Sequence, residues 1–194
     1  MEALLALEEV LRKRWNDVAR ELPGRTPAHD LRFSGRVTNA WALIYFRRKA
    51  VRFSPYLFLL EPQRLHHRNY WRELDATLKH EVVHAHLYAA ANETSHTERF
   101  HDLLEGLGVR ANGDHDLGPE NATFRYVYRC VTCRAAWRRR VPLRGSWSCG
   151  RCQPGRYHRD FAMKLEEVLP SPLERLAGRE RVIWATVDAA SRHI

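Results

Sequence analysis

The stretch His80-Glu81-Val82-Val83-His84 constrains the fold of this 194-residue chain more than any other part of the sequence. Two histidines four residues apart lie on one face of an α-helix, one turn from each other, so both imidazoles can reach one zinc ion. Glu81 directly follows the first histidine and can accept a proton from water at the open coordination position of such an ion. The stretch therefore predicts a metal site with a general base beside it.

The residues around this motif predict a buried helix. Residues 70–91 contain no glycine or proline, and their apolar members recur at roughly helical spacing. These apolar positions include Trp71, Leu74, Leu78, Val82 and Leu87. A solvated surface helix would not need the apolar pair Val82-Val83 between its polar residues. His86 is only two residues from His84 and faces nearly the opposite way, so we expect it to pack or to form a hydrogen bond.

A third metal ligand is needed, because a catalytic zinc site usually has three protein ligands and one open position. The metzincin arrangement is excluded, since Leu87 and Ala90 stand where it requires a glycine and a histidine. We favour His96, because Ser95 and Glu98 form a capping-box pattern that would start a second helix there. The alternatives that the sequence leaves open are His101, Glu98 and Glu105.

All four cysteines of the chain fall into two Cys-x-x-Cys pairs. Fifteen residues separate Cys130-x-x-Cys133 from Cys149-x-x-Cys152, a spacing typical of a zinc ribbon with a closed, structural four-thiolate site. Disulfides in a secreted protein are less favoured, because glutamates interrupt the apolar residues of positions 1–15, which predicts an amphipathic helix instead of a signal peptide. No apolar run is long enough to span a membrane, so we expect a cytoplasmic protein.

Local patterns elsewhere predict an α+β fold. Residues 30–37 and 41–54 are rich in β-branched and aromatic residues and predict two or three strands, with turns at Gly35-Arg36 and at Arg47-Arg48-Lys49. Asparagine, glycine and proline within residues 112–119 mark the boundary before the cysteine module.

The C-terminal tail, residues 160–194, is expected to be helical. Apolar residues between 161 and 169 predict one helix that Pro170-Ser171-Pro172 would end, and those between 173 and 187 predict a second segment. Because this second segment contains Trp184, we expect it to pack against the first domain rather than to be disordered.

Together these motifs resemble the SprT-like (Spartan-like) family of zinc metalloproteases over most of residues 1–158. The segment Leu78-Lys79-His80-Glu81-Val82-Val83-His84-Ala85-His86-Leu87-Tyr88 is similar to the active-site helix of that family. The segment His96-Thr97-Glu98-Arg99-Phe100 is similar to a His-Gly-x-x-Phe-like motif whose histidine is the third zinc ligand. Thr97 departs from the glycine that the family usually has.

The resemblance implies a zincin-type protease domain at residues 1–118, made of helices and a small β-sheet, followed by a zinc ribbon at 119–159. It further implies a zinc-dependent endopeptidase that is associated with DNA and acts on DNA-bound or DNA-crosslinked proteins, as in the repair of DNA–protein crosslinks. Two zinc ions are implied, one catalytic and one structural. The ligands would be His80, His84 and His96 for the first ion and Cys130, Cys133, Cys149 and Cys152 for the second.

A second class of function remains open at this stage, a non-enzymatic nucleic-acid-binding or regulatory zinc protein with a vestigial zincin site. The intact Glu81 argues against it, because a purely structural site has no need of a base. In the enzymatic interpretation a nearby Tyr88 or His86 could assist Glu81.

The positive charge of the chain is concentrated in its cysteine module. The chain has a formal net charge of +9, and residues 120–159 contain ten arginines but only one acid. Six aromatic residues lie in the same segment; some are expected to form its small core and others to be exposed. Arginines contact phosphates and exposed aromatics stack on unpaired bases, so we predict binding of single-stranded or partly unpaired DNA, and association with the nucleoid if the chain is bacterial. The candidate contacts are Arg134, Arg138, Arg139, Arg140, Arg144 and Arg151.

Overall fold

The chain has two structural units, each with its own three-stranded sheet. The computed structural model describes residues 2–38, 40–62, 65, 69–109 and 124–193. One unit comprises Met1–Pro119 together with Leu176–Ile194, and the other comprises Glu120–Arg175. The expected α+β class is confirmed. The predicted boundary at 112–119 lies outside the described residues.

Helices and strands alternate irregularly along the chain, as expected for an α+β protein. The helices are α1 (Glu2–Glu21), α2 (Tyr70–Ala91), α3 (Glu98–Gly106), α4 (Pro172–Ala177) and α5 (Glu180–Ser191). The strands are β1 (Asp30–Phe33), β2 (Ala42–Tyr45), β3 (Ala50–Phe53), β4 (Tyr126–Cys130), β5 (Ala136–Arg139) and β6 (Met163–Val168). Short 3₁₀ helices occupy Phe46–Arg48, Pro55–Leu59 and Arg159–Phe161.

Helix α1 is the amphipathic helix that its sequence predicts. Its buried residues recur every three or four positions, so they form one stripe that faces the core. These residues are Leu4, Leu7, Leu11, Trp15 and Val18. The buried Glu8 interrupts the stripe, and its carboxylate accepts a hydrogen bond from the backbone N–H of Phe33 at 2.7 Å. That bond ties α1 to the end of β1.

The first sheet has the strand order β1-β3-β2. Strand β1 runs parallel to β3, whereas β2 and β3 form an antiparallel hairpin. The hairpin turns through the 3₁₀ helix Phe46–Arg48 and then Lys49, which has a φ of 46°. This is the turn that the sequence predicts. Among the described strands β2 therefore forms one edge of the sheet, and its other side is open to a partner strand.

Helix α2 carries the His-Glu-x-x-His motif and lies largely inside the first unit. Asn69 caps its first turn by accepting a hydrogen bond from the N–H of Arg72 at 2.7 Å. Asn92 ends it in the left-handed conformation with a φ of 54°, which asparagine tolerates better than most residues. The five apolar positions expected to face the core are all buried.

The start of the second site helix was predicted wrongly. Helix α3 begins at Glu98 and its N-cap is Thr97, whose hydroxyl accepts from the N–H of Phe100 at 3.4 Å. Ser95 therefore does not cap the helix, and His96 lies in the preceding loop instead of in its first turn. Threonine and serine have similar capping chemistry, so the tertiary environment decided which of the two is used.

The helix expected at residues 161–169 is replaced by a strand. Strand β6 pairs antiparallel with β4, from Tyr126 opposite Val168 to Cys130 opposite Met163. Pairing with a partner distant in sequence overrides local preference here, which is common for strands. Later in the tail α5 is helical as expected and packs against α1 and α2. Ile183 of this helix is buried, whereas Trp184, the residue on which the expectation of packing rested, is 38% exposed.

The second unit has an antiparallel sheet of order β5-β4-β6. A bulge between Val127 and Tyr128 shifts the register of β4 against β6. Its core is small and centres on Tyr128, Cys130, Cys149 and Met163. A core of this size stabilises a module only weakly, so cross-linking by a metal would add substantially to its stability.

The described helices include none with both the length and the apolar character needed to cross a bilayer.

Two leucines of α1 give a matched test of this packing. Leu7 is fully buried, whereas Leu5 is 58% exposed. Leu7→Ala should lower the free energy of unfolding by about 2–5 kcal/mol, because it leaves a cavity, and Leu5→Ala should change it by less than about 0.5 kcal/mol. Both changes alter helix propensity equally, so the difference reports packing. Denaturant unfolding of the metal-loaded protein measures both, and equal losses would contradict the assigned faces of α1.

Candidate metal centres and active-site cleft

Three histidine side chains converge at one point of the first unit. The Nε2 atom of His84 lies 3.1 Å from that of His80 and 3.0 Å from that of His96, and the remaining pair is 3.2 Å apart. Helix α2 supplies the first two rings, one turn apart, and the loop before α3 supplies the third. This group is the one that the sequence favoured.

The geometry of the three nitrogens fits a shared metal ion. Ligand nitrogens at about 2.0–2.1 Å from a tetrahedral zinc ion are about 3.3 Å apart, close to the observed separations. A neutral imidazole Nε2 either donates or accepts, so three of them facing one another cannot all be well satisfied by mutual hydrogen bonds. A cation that accepts one lone pair from each ring resolves this conflict. The three histidines could therefore hold a metal ion, consistent with zinc.

Glu81 is buried beside these rings. Within the described part of the chain its Oε2 atom has no hydrogen-bond partner. Burial raises the pKa of Glu81 to about 8. A dication nearby would favour the charged form and move that pKa back down. A buried carboxylate with one oxygen left without a hydrogen bond, next to three imidazoles, suits a metal site with an adjacent proton acceptor.

The histidines and Glu81 open into a cleft of about 320 Å³. One wall is formed by α2 and the loop after it, and the other by the segment that leads into β2 and by β2 itself. The lining residues are Ala40, Trp41, Ala42, Leu43, Ile44, Thr77, His80, Glu81, His84 and His96. The cleft therefore lies between the candidate metal centre and the open edge of the sheet.

The register of β2 shows which backbone groups face this cleft. The N–H of Ser54 donates to the carbonyl of Trp41 at 2.7 Å, so Trp41 and every second residue after it direct their backbone groups toward β3. The intervening residues, Ala42 and Ile44, direct their N–H and C=O groups toward the open edge. These two residues can pair with an extended chain lying in the cleft.

Phe100 supports the three rings, a role that sequence reasoning missed. Its own ring centroid is 4.5 Å from that of His84, 4.6 Å from that of His96 and 4.9 Å from that of His80. Phe100 is held at this point by the Thr97 cap. The Thr97 hydroxyl also donates to the carboxylate of Glu93, so the threonine at this position stabilises the loop that carries His96.

The other candidates from the sequence lie elsewhere. His101 is not among the converging ligands, and its ring centroid is 6.3 Å from that of His96. Glu98 and Glu105 are exposed. The Nδ1 atom of His86 lies 3.1 Å from the hydroxyl of Thr26, which agrees with the expected hydrogen-bonding role and removes His86 from the cleft. Tyr88 stacks on Phe46 beside the cleft and does not line it.

The four cysteines of the second unit also form one cluster. Their sulfur atoms all lie within 4.8 Å of one another, and those of Cys133 and Cys149 are 3.7 Å apart. Sulfurs around a tetrahedral zinc ion are about 3.8 Å apart when the Zn–S distance is about 2.3 Å. The cluster could therefore hold a metal ion, and its residues lie close enough to form the expected zinc ribbon.

The turn after β4 favours a thiolate at Cys130. Burial of this sulfur opposes ionisation, but the N–H groups of Cys133 and Thr132 point at it from 3.5 and 3.4 Å and lower its pKa to about 7. Arg134 follows in the left-handed conformation, with a φ of 59°. A turn that directs two N–H groups at one sulfur is suited to a metal-binding thiolate.

All six arginines predicted to contact DNA are exposed on the second unit. Arg134 lies 3.6 Å from Glu166, which also pairs with Arg129 at 2.6 Å. That carboxylate offsets part of the local charge, so Arg134 is the weakest of the six candidates. Strand β5 carries Arg138 and Arg139, which lie on opposite faces of the strand.

Metal content tests both centres. Protein purified without chelators should contain two zinc ions per chain by elemental analysis, and the double variant His80→Ala, His84→Ala should contain one. His96→Ala should also lose one ion, because it removes a converging ligand. His101→Ala is the matched control and should keep both. Loss of zinc in His101→Ala with retention in His96→Ala would reverse the assignment of the third ligand.

Comparison with known proteins agrees with this geometry. Residues 8–116 match the model of the SprT-like family. A Geobacillus kaustophilus protein named Protein SprT-like is 31% identical over 87 residues, covering 42% of this chain and 56% of the relative. A Bacillus cereus protein of the same name is 28% identical over 83 residues, covering 42% of this chain and 55% of the relative.

The chain spans just over half the length of each of these relatives. No solved structure matches it significantly. The segment that matches the family model makes up more than half of the chain and contains all three converging histidines, Glu81 and the β2 edge. This protein therefore belongs to the SprT-like family.

Proposed function

We propose that this protein is a zinc-dependent endopeptidase with Glu81 as its general base. The observation that supports this most directly is the cleft itself, in which three imidazole nitrogens, a buried carboxylate and an open strand edge face the same space. The imidazoles and the carboxylate suit the hydrolysis of a peptide bond, and the strand edge suits binding of an extended peptide, whereas a purely structural metal site would need neither the carboxylate nor the strand edge.

The chemistry divides between the metal and the protein. Zinc held by His80, His84 and His96 would polarise the scissile carbonyl and make water a better nucleophile near neutral pH. Glu81 accepts the proton of the attacking water at a carboxylate oxygen and delivers it to the leaving amine nitrogen. Burial of this carboxylate favours retention of the proton between the two transfers, because the protonated form carries no charge.

The substrate is held by strand addition to β2. The N–H and C=O groups of Ala42 and Ile44 would bond to the backbone of an extended segment, and such bonds do not depend on the sequence of that segment. Only an extended chain can form them, so the substrate should be an unfolded or locally exposed stretch of a protein rather than a compact domain.

Binding of DNA is proposed for the second unit. Its exposed arginines provide phosphate contacts, and a cavity of about 340 Å³ is lined in part by Trp137, Trp147 and Tyr157. Trp147 and Tyr157 are 47% and 50% exposed, and Arg156 lines the same cavity. Aromatic faces beside an arginine can stack on an unpaired base. These features support a preference for single-stranded or partly unpaired DNA.

Together the two sites favour DNA-bound or DNA-crosslinked proteins as substrates, which would connect the enzyme with repair of DNA–protein crosslinks. A DNA-binding module linked to a protease raises the local concentration of any protein on the same DNA. We propose a cytoplasmic location at the nucleoid for a bacterial chain.

The role of Glu81 is tested by a substitution that leaves the metal ligands unchanged. Glu81→Gln should keep the zinc content and fold of the wild type, and its rate of peptide cleavage should fall by about a hundredfold or more because the proton acceptor is gone. Glu105→Gln is a matched control at an exposed position and should cleave normally. Both variants are measured by cleavage of a DNA-binding substrate protein in the presence and in the absence of DNA. Undiminished cleavage by zinc-loaded Glu81→Gln would refute the assigned base.

The DNA site is tested by reversal of charge. Replacing Arg138, Arg139 and Arg140 by glutamate should weaken binding to single-stranded DNA and reduce its salt dependence, which is roughly 0.7 in log–log slope for each phosphate contact. The matched control replaces Lys13, Arg20 and Arg181 of the first unit by glutamate, with the same change in net charge. Fluorescence anisotropy across a salt series measures both. Equal effects of the two triple variants would mean that only net charge matters.

A further inference from the structure

A second cavity adjoins the active-site cleft. Its volume is about 640 Å³, and it is bounded by the end of β2, the turn Phe46–Arg48 and the C-terminal end of α2. Ile44 lines both this cavity and the cleft. Phe46 lies at their junction, because its ring packs edge-on to His84 at 6.4 Å between centroids and stacks on Tyr88 at 4.4 Å.

A chain bound along β2 would lead directly toward this cavity. A peptide that pairs with Ala42 and Ile44 advances about 3.4 Å per residue. The next one or two residues beyond Ile44 therefore lie over the turn that carries Arg47 and Arg48. Side chains of an extended segment alternate in direction, so one of these residues can point into the cavity.

The cavity is positively charged and its charge is not neutralised locally. Arg47 and Arg48 both line it and are exposed, and within the described residues neither forms an ion pair or a side-chain hydrogen bond. None of the described residues that line it carries a carboxylate, and their other polar side chains include Asn92 and Thr94. Glu93 lies between those two in the sequence, but it is not among the lining residues, and its carboxylate accepts a hydrogen bond from the hydroxyl of Thr97.

We propose that this cavity is a substrate subsite for an acidic side chain. An aspartate or glutamate a few residues from the scissile bond would pair with Arg47 or Arg48, and Asn92 could donate to the same carboxylate. This inference rests on the proposed peptidase function and gives it a sequence preference. A lysine or arginine at the same substrate position would be repelled.

A peptide carboxylate explains the cavity better than a nucleotide does. The cavity lies at the end of the open strand edge, where the path of a bound peptide would lead. The same peptide could therefore occupy both the cleft and the cavity. Two aromatic rings, those of Phe46 and Tyr88, lie beside the arginines and are stacked on each other. A nucleotide base could stack on the faces in contact only by displacing one ring from the other.

Peptide cleavage provides the first test. A set of peptides with one known cleavage site, carrying Glu, Gln or Lys at each of the four positions on either side, is digested by the wild-type protein. At one position Glu should exceed Gln in kcat/KM by up to roughly fivefold, as expected for an ion pair at an exposed site, and Lys should be poorest. In Arg47→Glu, Arg48→Glu the order should reverse, so that Lys is best. Arg181→Glu, an exposed arginine on α5, is the control and should keep the wild-type order.

A binding measurement separates this inference from the proposed function. Anisotropy of the same Glu, Gln and Lys peptides with zinc-loaded Glu81→Gln needs no cleavage. The affinity should again be highest for the Glu peptide and lowest for the Lys peptide. Adding Arg47→Glu and Arg48→Glu should reverse this order, and high salt should reduce the differences between the peptides. Absence of cleavage by the wild type together with this binding order would overturn the peptidase and keep the subsite. Cleavage without any dependence on the charge of the peptide would overturn the subsite and keep the peptidase. Reduced DNA affinity in the Arg47, Arg48 variant with unchanged peptide preference would assign the cavity to nucleic acid instead.

Discussion

Three imidazole nitrogens within 3.2 Å of one another are the constraint on which the first unit depends. Such a cluster is unfavourable unless the surrounding structure fixes it, because each ring would otherwise turn toward water. Helix α2 fixes two of the rings by burial along most of its length, with an asparagine cap at each end. The third ring depends on a short loop, and the Thr97 cap and the packing of Phe100 hold that loop in place.

The second unit meets a similar constraint with different chemistry. Four sulfurs within 4.8 Å of one another replace the extensive core that a module of this size cannot build. Among the described residues its buried cluster has four members, and two of them are cysteines. Because most of the remaining side chains are exposed, arginines and aromatics are available on its surface at little cost in stability. A module held together by a metal ion at these sulfurs would leave its surface free for the proposed recognition of DNA, whereas the first unit places its converging side chains in its interior.

The open edge of β2 connects the fold of the first unit to its proposed chemistry. An exposed strand edge invites unwanted pairing with other chains, and proteins commonly protect it by short strands and nearby charge. Strand β2 is only four residues long and is followed by Arg47, Arg48 and Lys49. The features that limit nonspecific pairing are thus the same ones that could select a substrate, since cations beside the edge repel basic chains and attract acidic ones.

The sequence by itself determined the elements whose signals are local. These are the amphipathic α1, the helix that carries His80, Glu81 and His84, the β2–β3 turn, and the arrangement of the four cysteines in two Cys-x-x-Cys motifs. It also favoured His96 over His101, although from a capping pattern that the structure replaced with Thr97. Only the tertiary structure decided that residues 163–168 form a strand, that Phe100 supports all three histidines, and that the edge facing them is β2. These features depend on contacts with residues distant in the sequence. Such contacts produce no periodic pattern of apolar residues in either segment, so neither segment alone predicts them.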